Sequence, residues 1–199
     1  MKIIVIGASG TIGRPLSTRL SERHEVVRVG KTHGDYQVDI ASSASIRALY
    51  QALAPFDAVV SCAGAARFGP LANLSDEDFA FSLGNKLMGQ VNLVRMGIEY
   101  VTDGGSFTLT SGTLSQEPMP GSAAISLVNA ALEGFVRAAG LDMPRSIRVN
   151  VVSPPWISET LAAMGKDSST GMPADQVTKA YLASIEGTPT GMVLDARKF

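Results

Sequence analysis

The chain of 199 residues is long enough to bury a substantial core in one domain, and its 45% hydrophobic and 18% charged residues exclude a disordered chain. A net charge of −1, with no block of like charges, gives no footing for nucleic acid or another polyanion. Cys62 is the single cysteine, which excludes an intramolecular disulfide and fits a cytoplasmic setting. No leader pattern and no apolar run long enough to span a bilayer are read, so no membrane partner is expected.

In chain order, the β-branched run Lys2–Ile6 predicts a strand buried on both faces. Gly7-Ala8-Ser9-Gly10-Thr11-Ile12-Gly13 follows at once, and then a helical pattern over residues 12–22. Strand, three glycines and helix is how a dinucleotide-binding unit begins. The turn must be tight, the backbone must approach a pyrophosphate, and the helix must pack close to the strand. Each demand is met by removing a side chain, and the free amides of the helix start then face the phosphates.

Further strands are predicted at Glu25–Gly30, 36–38, 58–61, 106–110, 148–152 and 192–195. Between them, a helix beginning after Ser43 or Ser45 carries Ile46, Leu49, Tyr50 and Leu53 at helical spacing. A third helix starts at Ser75, whose acidic residue three positions on gives a capping box, and runs with or without a break to Tyr100. A fourth covers residues 122–139 and a last one residues 174–185. Residues 154–173, rich in Pro, Ser and Gly, read as a loop near the ligand. The alternation predicts an α/β fold: a single doubly wound parallel sheet of about seven strands, a Rossmann fold, with helices on both faces and spanning residues 1–199.

In such a sheet the cofactor lies across the carboxyl ends of the strands. The candidate contacts are Gly7, Ser9, Gly10, Thr11, Ile12 and Gly13 in the first turn, Gly30 and Lys31 after the second strand, and Asp39 and Ile40 after the third. Cys62, Ala63 and Gly64 follow the fourth strand, and Pro154 and Ile157 the sixth. The second strand ends in Gly30-Lys31, where an acid would bind the adenosine ribose 2′-hydroxyl. With Lys31 there, and Arg14 as a second cation, NADP is favoured over NAD. The alternative is that both are solvated surface cations. Asp39 contacts the adenine edge or caps the next helix. His24 and His33, the only histidines, lie around the second strand, so no metal site is expected.

The order and spacing of several short pieces resemble the short-chain dehydrogenase/reductase family over nearly the whole chain. They are the glycine turn at residues 7–13, Ser61-Cys62-Ala63-Gly64 where the family has Asn-Asn-Ala-Gly, and Leu87-Met88-Gly89 in the central helix. Thr110-Ser111 ends the fifth strand, Ala130-Ala131-Leu132-Glu133-Gly134 lies in the next helix, and Arg148-Val149-Asn150-Val151-Val152-Ser153-Pro154 closes the sixth strand. The resemblance implies an oxidoreductase using a nicotinamide dinucleotide on a small molecule. It also implies a homodimer or homotetramer paired through the long helices at 76–100 and 122–139.

The departures concern the chemistry. The glycine spacing is Gly-x-x-Gly-x-x-Gly, as in extended and atypical branches, and the substrate-covering segment at 154–173 is reduced. The family's reductases use Tyr-x-x-x-Lys; no such pair occurs in this chain, and alignment on residues 130–134 puts Ile125 at the tyrosine and Asn129 at the lysine. The family's asparagine position in the central helix holds Lys86, and Ser111 lies one residue before the family's serine. Isoleucine cannot donate a proton, a loss that typically costs about 10²–10⁴-fold in rate. Asparagine and lysine have exchanged places, so Lys86 is a candidate proton donor, or an ordinary helix lysine; Ser111 bonds a substrate carbonyl or the local backbone. Trp156 lines a substrate pocket or anchors its loop, and Met119, Met164 and Met172 pad an apolar substrate or pack. Three readings remain: an atypical NADP-dependent oxidoreductase acting on a small carbonyl or activated double bond, with Ser111, Lys86 and Asn129 as its catalytic set; a non-catalytic NADP-binding sensor or partner-binding module; and a non-redox activity such as isomerisation that uses the bound cofactor structurally.

Overall fold

The computed structural model describes residues 1–199. Its seven strands are β1 (Lys2–Ile6), β2 (Glu25–Gly30), β3 (Tyr36–Gln37), β4 (Phe56–Ser61), β5 (Val101–Thr110), β6 (Arg148–Ser153) and β7 (Val193–Asp195). They form one parallel sheet in the order β3-β2-β1-β4-β5-β6-β7. The helices are α1 (Gly13–Ser21), α2 (Ser43–Leu53), α3 (Asp76–Ser82), α4 (Met88–Gly97), α5 (Ala123–Asp142), α6 (Ser158–Ala163) and α7 (Ala174–Glu186).

β1 is central because Ile3–Ile6 are apolar on both faces. Alternation divides them: Ile4 and Ile6 join one core with Leu49 and Tyr50 of α2, Leu93 of α4 and Leu132 of α5. Ile3 and Val5 join the other with Leu16 and Leu20 of α1 and Val177 and Tyr181 of α7. Burying each such side chain contributes about 1.5–3 kcal/mol. The strand order reverses between β1 and β4, which opens a crevice at their carboxyl ends. The doubly wound parallel sheet expected from the alternation is therefore present.

Several boundaries differ from expectation. The helix that starts at Ser75 has the predicted capping box, Ser75 Oγ accepting from the Asp78 amide while Asp78 returns the bond. Its break is a π-helical segment, Leu83–Leu87, between α3 and α4, and α4 ends at Gly97 rather than Tyr100. Residues 154–173 are not all loop. They hold α6 and a 3₁₀ turn at Ser168–Thr170, tied by an Ile157–Met172 bridge. β5 begins five residues earlier than predicted, with an irregular register against β4 between Phe56 and Ala58.

α5, at 20 residues and a mean hydropathy of 1.3, is long and apolar enough by composition to cross a membrane. That corrects the expectation that no such run exists. Its Ala124, Val128, Leu132 and Val136 are nevertheless packed inside the protein, as in a core helix.

Candidate active site

The glycine turn is a backbone device. Gly7 has φ +82°, and a Cβ there would come within 2.9 Å of the Cys62 carbonyl carbon. A Cβ on Gly13 would fall 2.1 Å from the Gly7 oxygen, so α1 can start against the turn only with glycine at that point. The Gly7 and Ala8 amides are bonded to Val29 O and the Gly10 amide to Gly7 O, whereas those of Ser9, Thr11, Ile12 and Gly13 donate to no protein acceptor. Unpartnered amides at a helix start, in a cradle that side chains would fill, fit a pyrophosphate.

Beside this turn lies a cavity of about 370 Å³ whose lining includes Gly7, Gly30, Lys31, Asp39, Ile40 and Gly64. Lys31 is not free there. Its Nζ is 3.0 Å from Asp39 Oδ2, and this bond, then the Ala41 amide, holds the Asp39 carboxyl below its usual range. β2 ends without an acid, as expected, but β3 is followed by one, and it pairs with Lys31. Asp39 does not cap α2 either, because Ser42 does so through the Ser45 amide. Arg14 is exposed and donates to Ser9 O.

A second cavity, of about 310 Å³, lies at the ends of β4, β5 and β6. Ile12, Cys62, Gly64, Pro154 and Ile157 line it together with Lys86, Ser111, Ile125 and Asn129. The structure thus brings the three polar candidates and Ile125 to one place. Lys86 lies in the π-helical segment, 8% exposed, and donates to Ser111 O at 3.1 Å. Burial pulls its ammonium down to about 8. Gly64 makes room for it, since a Cβ there would stand 3.1 Å from Lys86 Cγ. Asn129 donates through Nδ2 to Gly112 O at 3.3 Å, and its buried Oδ1 has no partner. Lys86 and Asn129 therefore clamp two successive carbonyls of the segment after β5.

Two residues that sequence reasoning missed, Gln90 and Glu133, hold this arrangement. Gln90, fully buried, accepts from the Thr110 amide at 2.8 Å and donates to Thr110 O and Lys86 O, pinning α4 to the end of β5. Glu133, 3% exposed, accepts from Ser111 Oγ at 3.2 Å, from Ser115 Oγ at 2.6 Å and from Gln116. The Ser111 hydroxyl proton is thereby committed, and its lone pairs are what a ligand meets. Thr110 Oγ1 lies 2.6 Å from the hydroxyl of Tyr181, a fully buried tyrosine that does not line the cavity. The only sequence signal for Gln90 and Glu133 is a polar residue on the apolar side of its helix.

No tyrosine lines the cavity, so the groups able to move a proton there are Lys86, hydroxyls and Cys62. Burial pushes the Cys62 thiol up to about 12, which keeps it uncharged. Trp156 lines the cavity and packs edge-on against Phe68 at 6.2 Å. Met119 and Met164 are largely exposed and line neither cavity; Met172 packs against the α1/α7 core.

A family model described as enoyl-(acyl carrier protein) reductase matches residues 14–190. The chain belongs to the short-chain dehydrogenase/reductase family. Among solved structures of this family's fold, the protein lin1944 from Listeria innocua is 38% identical, with a TM-score of 0.94 and 98% of both chains covered. A small-chain dehydrogenase in complex with NADPH is 26% identical, with a TM-score of 0.86 over 98% of this chain and 95% of that one. Among curated family members, hydroxynaphthalene reductase arp2 of Aspergillus fumigatus is 26% identical over 162 residues, 78% of this chain and 59% of that protein. The chain spans about three fifths of the length of the curated relatives it matches first.

Proposed function

We propose that this protein is an atypical NADP(H)-dependent reductase of a small carbonyl compound or activated double bond, with Lys86 as its proton donor. The observation that carries the reading is a buried ammonium in a small cavity that no tyrosine lines. Related proteins named as reductases and dehydrogenases, and a neighbour bound to NADPH, support the class of chemistry.

The cofactor would rest its pyrophosphate on the amides of Ser9, Thr11, Ile12 and Gly13, its adenosine near Asp39, Ile40 and Ala63, and its nicotinamide end near Cys62, Gly64, Pro154 and Ile157. Lys31 and Arg14 are the cations for a 2′-phosphate, with Lys31 exchanging Asp39 for it. When bound, the cofactor supplies the hydride. The chain's part is to exclude water, orient the reacting oxygen and give it a proton from Lys86 Nζ. Ser111, its own proton held by Glu133, would accept a hydrogen bond from the hydroxyl of the alcohol product, and Asn129 fixes the Gly112 segment. Gln90 acts through Lys86 and Thr110 as a positioning residue.

The acidity of the donor suits this role, since a lysine near 8 gives up its proton far more readily than an exposed one. A second reading, a non-catalytic NADP(H) sensor or partner-binding module, is favoured by the apolar Ile125 at the position of the family's acid. NADPH fluorescence titration followed by a carbonyl panel separates them. Binding with turnover that Lys86→Met abolishes supports the reductase; binding without turnover supports the sensor; failure to bind refutes both. Pairing of two copies through α4 and α5, and a cytoplasmic setting, complete the proposal. Exposed Met88 and Leu127 on these helices support the pairing.

A further inference from the structure

Lys86 is the only charged side chain lining the 310 Å³ cavity, and it joins none of the molecule's ion pairs. The carboxylates on flanking elements are committed elsewhere. Glu133 is occupied by Ser111, Ser115 and Gln116, with Arg137 at 3.6 Å. Glu159 caps the Ala174 amide with both oxygens. A buried cation without a counter-ion is costly, and the protein supplies none here.

The donor count is as informative as the charge. An ammonium has three N–H groups, and one is used on Ser111 O. Two remain for a ligand. A second cation marks the Trp156 side of the cavity, Lys166 Nζ lying 5.7 Å from the Trp156 ring centroid.

We infer that the substrate is a small 2-oxo acid, held on Lys86 by its carbonyl oxygen and by an oxygen of the adjacent carboxylate, and reduced to the 2-hydroxy acid. This rests on the proposed reductase activity and narrows its substrate class. Two oxygens on neighbouring carbons match two free donors on one nitrogen, and the carboxylate is the missing counter-ion. In the reaction a hydride from the reduced cofactor adds to the carbonyl carbon as the C=O π bond opens. The carbonyl oxygen takes a proton from Lys86 Nζ, and water then reprotonates the amine. The cavity's size keeps the acid small, since about 310 Å³ is near the lower end for ligand sites and must also take the nicotinamide end.

With NADPH, the test uses three compounds that share one four-carbon chain: 2-oxobutanoate, its methyl ester and 2-butanone. The ester keeps the activated carbonyl and removes the charge. The acid is expected to exceed the ester in kcat/KM by about 10- to 100-fold, the worth of a charge-assisted hydrogen bond. Equal or better turnover of the ester overturns the 2-oxo acid assignment and leaves the reductase standing. Binding of oxamate to the NADPH complex, followed by fluorescence, gives a readout without turnover. It is expected to be lost in Lys86→Met and kept in Lys86→Arg, which retains the charge but not a transferable proton. Oxamate binding unchanged in Lys86→Met, or absent from the wild type, overturns the proposal. Lack of turnover with all three compounds overturns the 2-oxo acid assignment; the reductase itself falls only if the wider carbonyl panel is silent as well.

Discussion

The two ends of the cleft are built by different means. At the turn of residues 7–13 the shape is made by backbone: absent side chains, a positive φ at Gly7, and amides left without protein partners. At the other end the shape is made by side chains clamped on backbone, Lys86 on Ser111 O and Asn129 on Gly112 O. A backbone cradle tolerates no Cβ but is indifferent to most neighbouring side chains. A side-chain site can change its chemistry by one replacement while the sheet beneath is untouched.

The largest effect that would sharpen this contrast is at Lys86. Lys86→Met is expected to lower kcat/KM by about 10²–10⁴-fold while far-ultraviolet circular dichroism stays that of the wild type. With Lys86 as the proposed proton donor, turnover is expected to fall as pH rises through about 8. Stability moves the other way. Folding lowers this group's affinity for protons, so the unfolded chain binds more of them between about 8 and 10.5, and unfolding free energy contributed by Lys86 rises across that window. Urea titrations at several pH values should show the rise in the wild type and not in Lys86→Met.

Gly13→Ala attacks the backbone end. Its Cβ would meet the Gly7 oxygen at 2.1 Å, and backbone cannot swing aside as a side chain can. A loss of about 1–3 kcal/mol in unfolding free energy is expected, together with weaker NADPH binding by fluorescence. An unperturbed Kd would break the assignment of this turn to the pyrophosphate. Lys31→Ala should weaken NADPH by about ten-fold, the value of one charge-assisted contact, and leave NADH unchanged; equal weakening of both would remove Lys31 from the 2′-phosphate. Tyr50→Phe marks the floor. It deletes a buried bond to Leu93 O from a residue that lines neither cavity, and should cost about 1 kcal/mol in stability with no change in NADPH affinity.

The elements most legible in the sequence were those whose residues meet one demand at a time. Lys2–Ile6 and Glu25–Gly30 are β-branched runs with turn residues after them, and both strands end where expected. The start of β5 was hidden because Thr102-Asp103-Gly104-Gly105 has the composition of a turn, yet the segment pairs with β4 through an irregular register. α6 was hidden by its Pro- and Ser-rich surroundings, although Glu159, Leu161, Ala162 and Ala163 are good helix formers. Within the site, Lys86, Ser111 and Asn129 could be grouped from sequence only through a family resemblance, because they are up to 43 residues apart and each alone reads as a surface group. Gln90 and Glu133 were missed for the same reason. The Lys31–Asp39 pair needed β2 and β3 side by side before it could be seen.

The π-helical segment Leu83–Leu87 works as a one-residue vernier between two helices. An α-turn advances about 100° per residue, so the residue it accommodates shifts the phase of everything after it. Before it, α3 is placed by its cap at Ser75; after it, α4 is placed by Leu93 and Val94 in the core. Lys86 sits in the gap between these two fixed phases, where its direction is set by neither. A deletion within this segment would leave both helices able to dock and would still turn the ammonium away from the cavity. Length variation here is therefore a lever on the direction of the Lys86 side chain that leaves the scaffold intact.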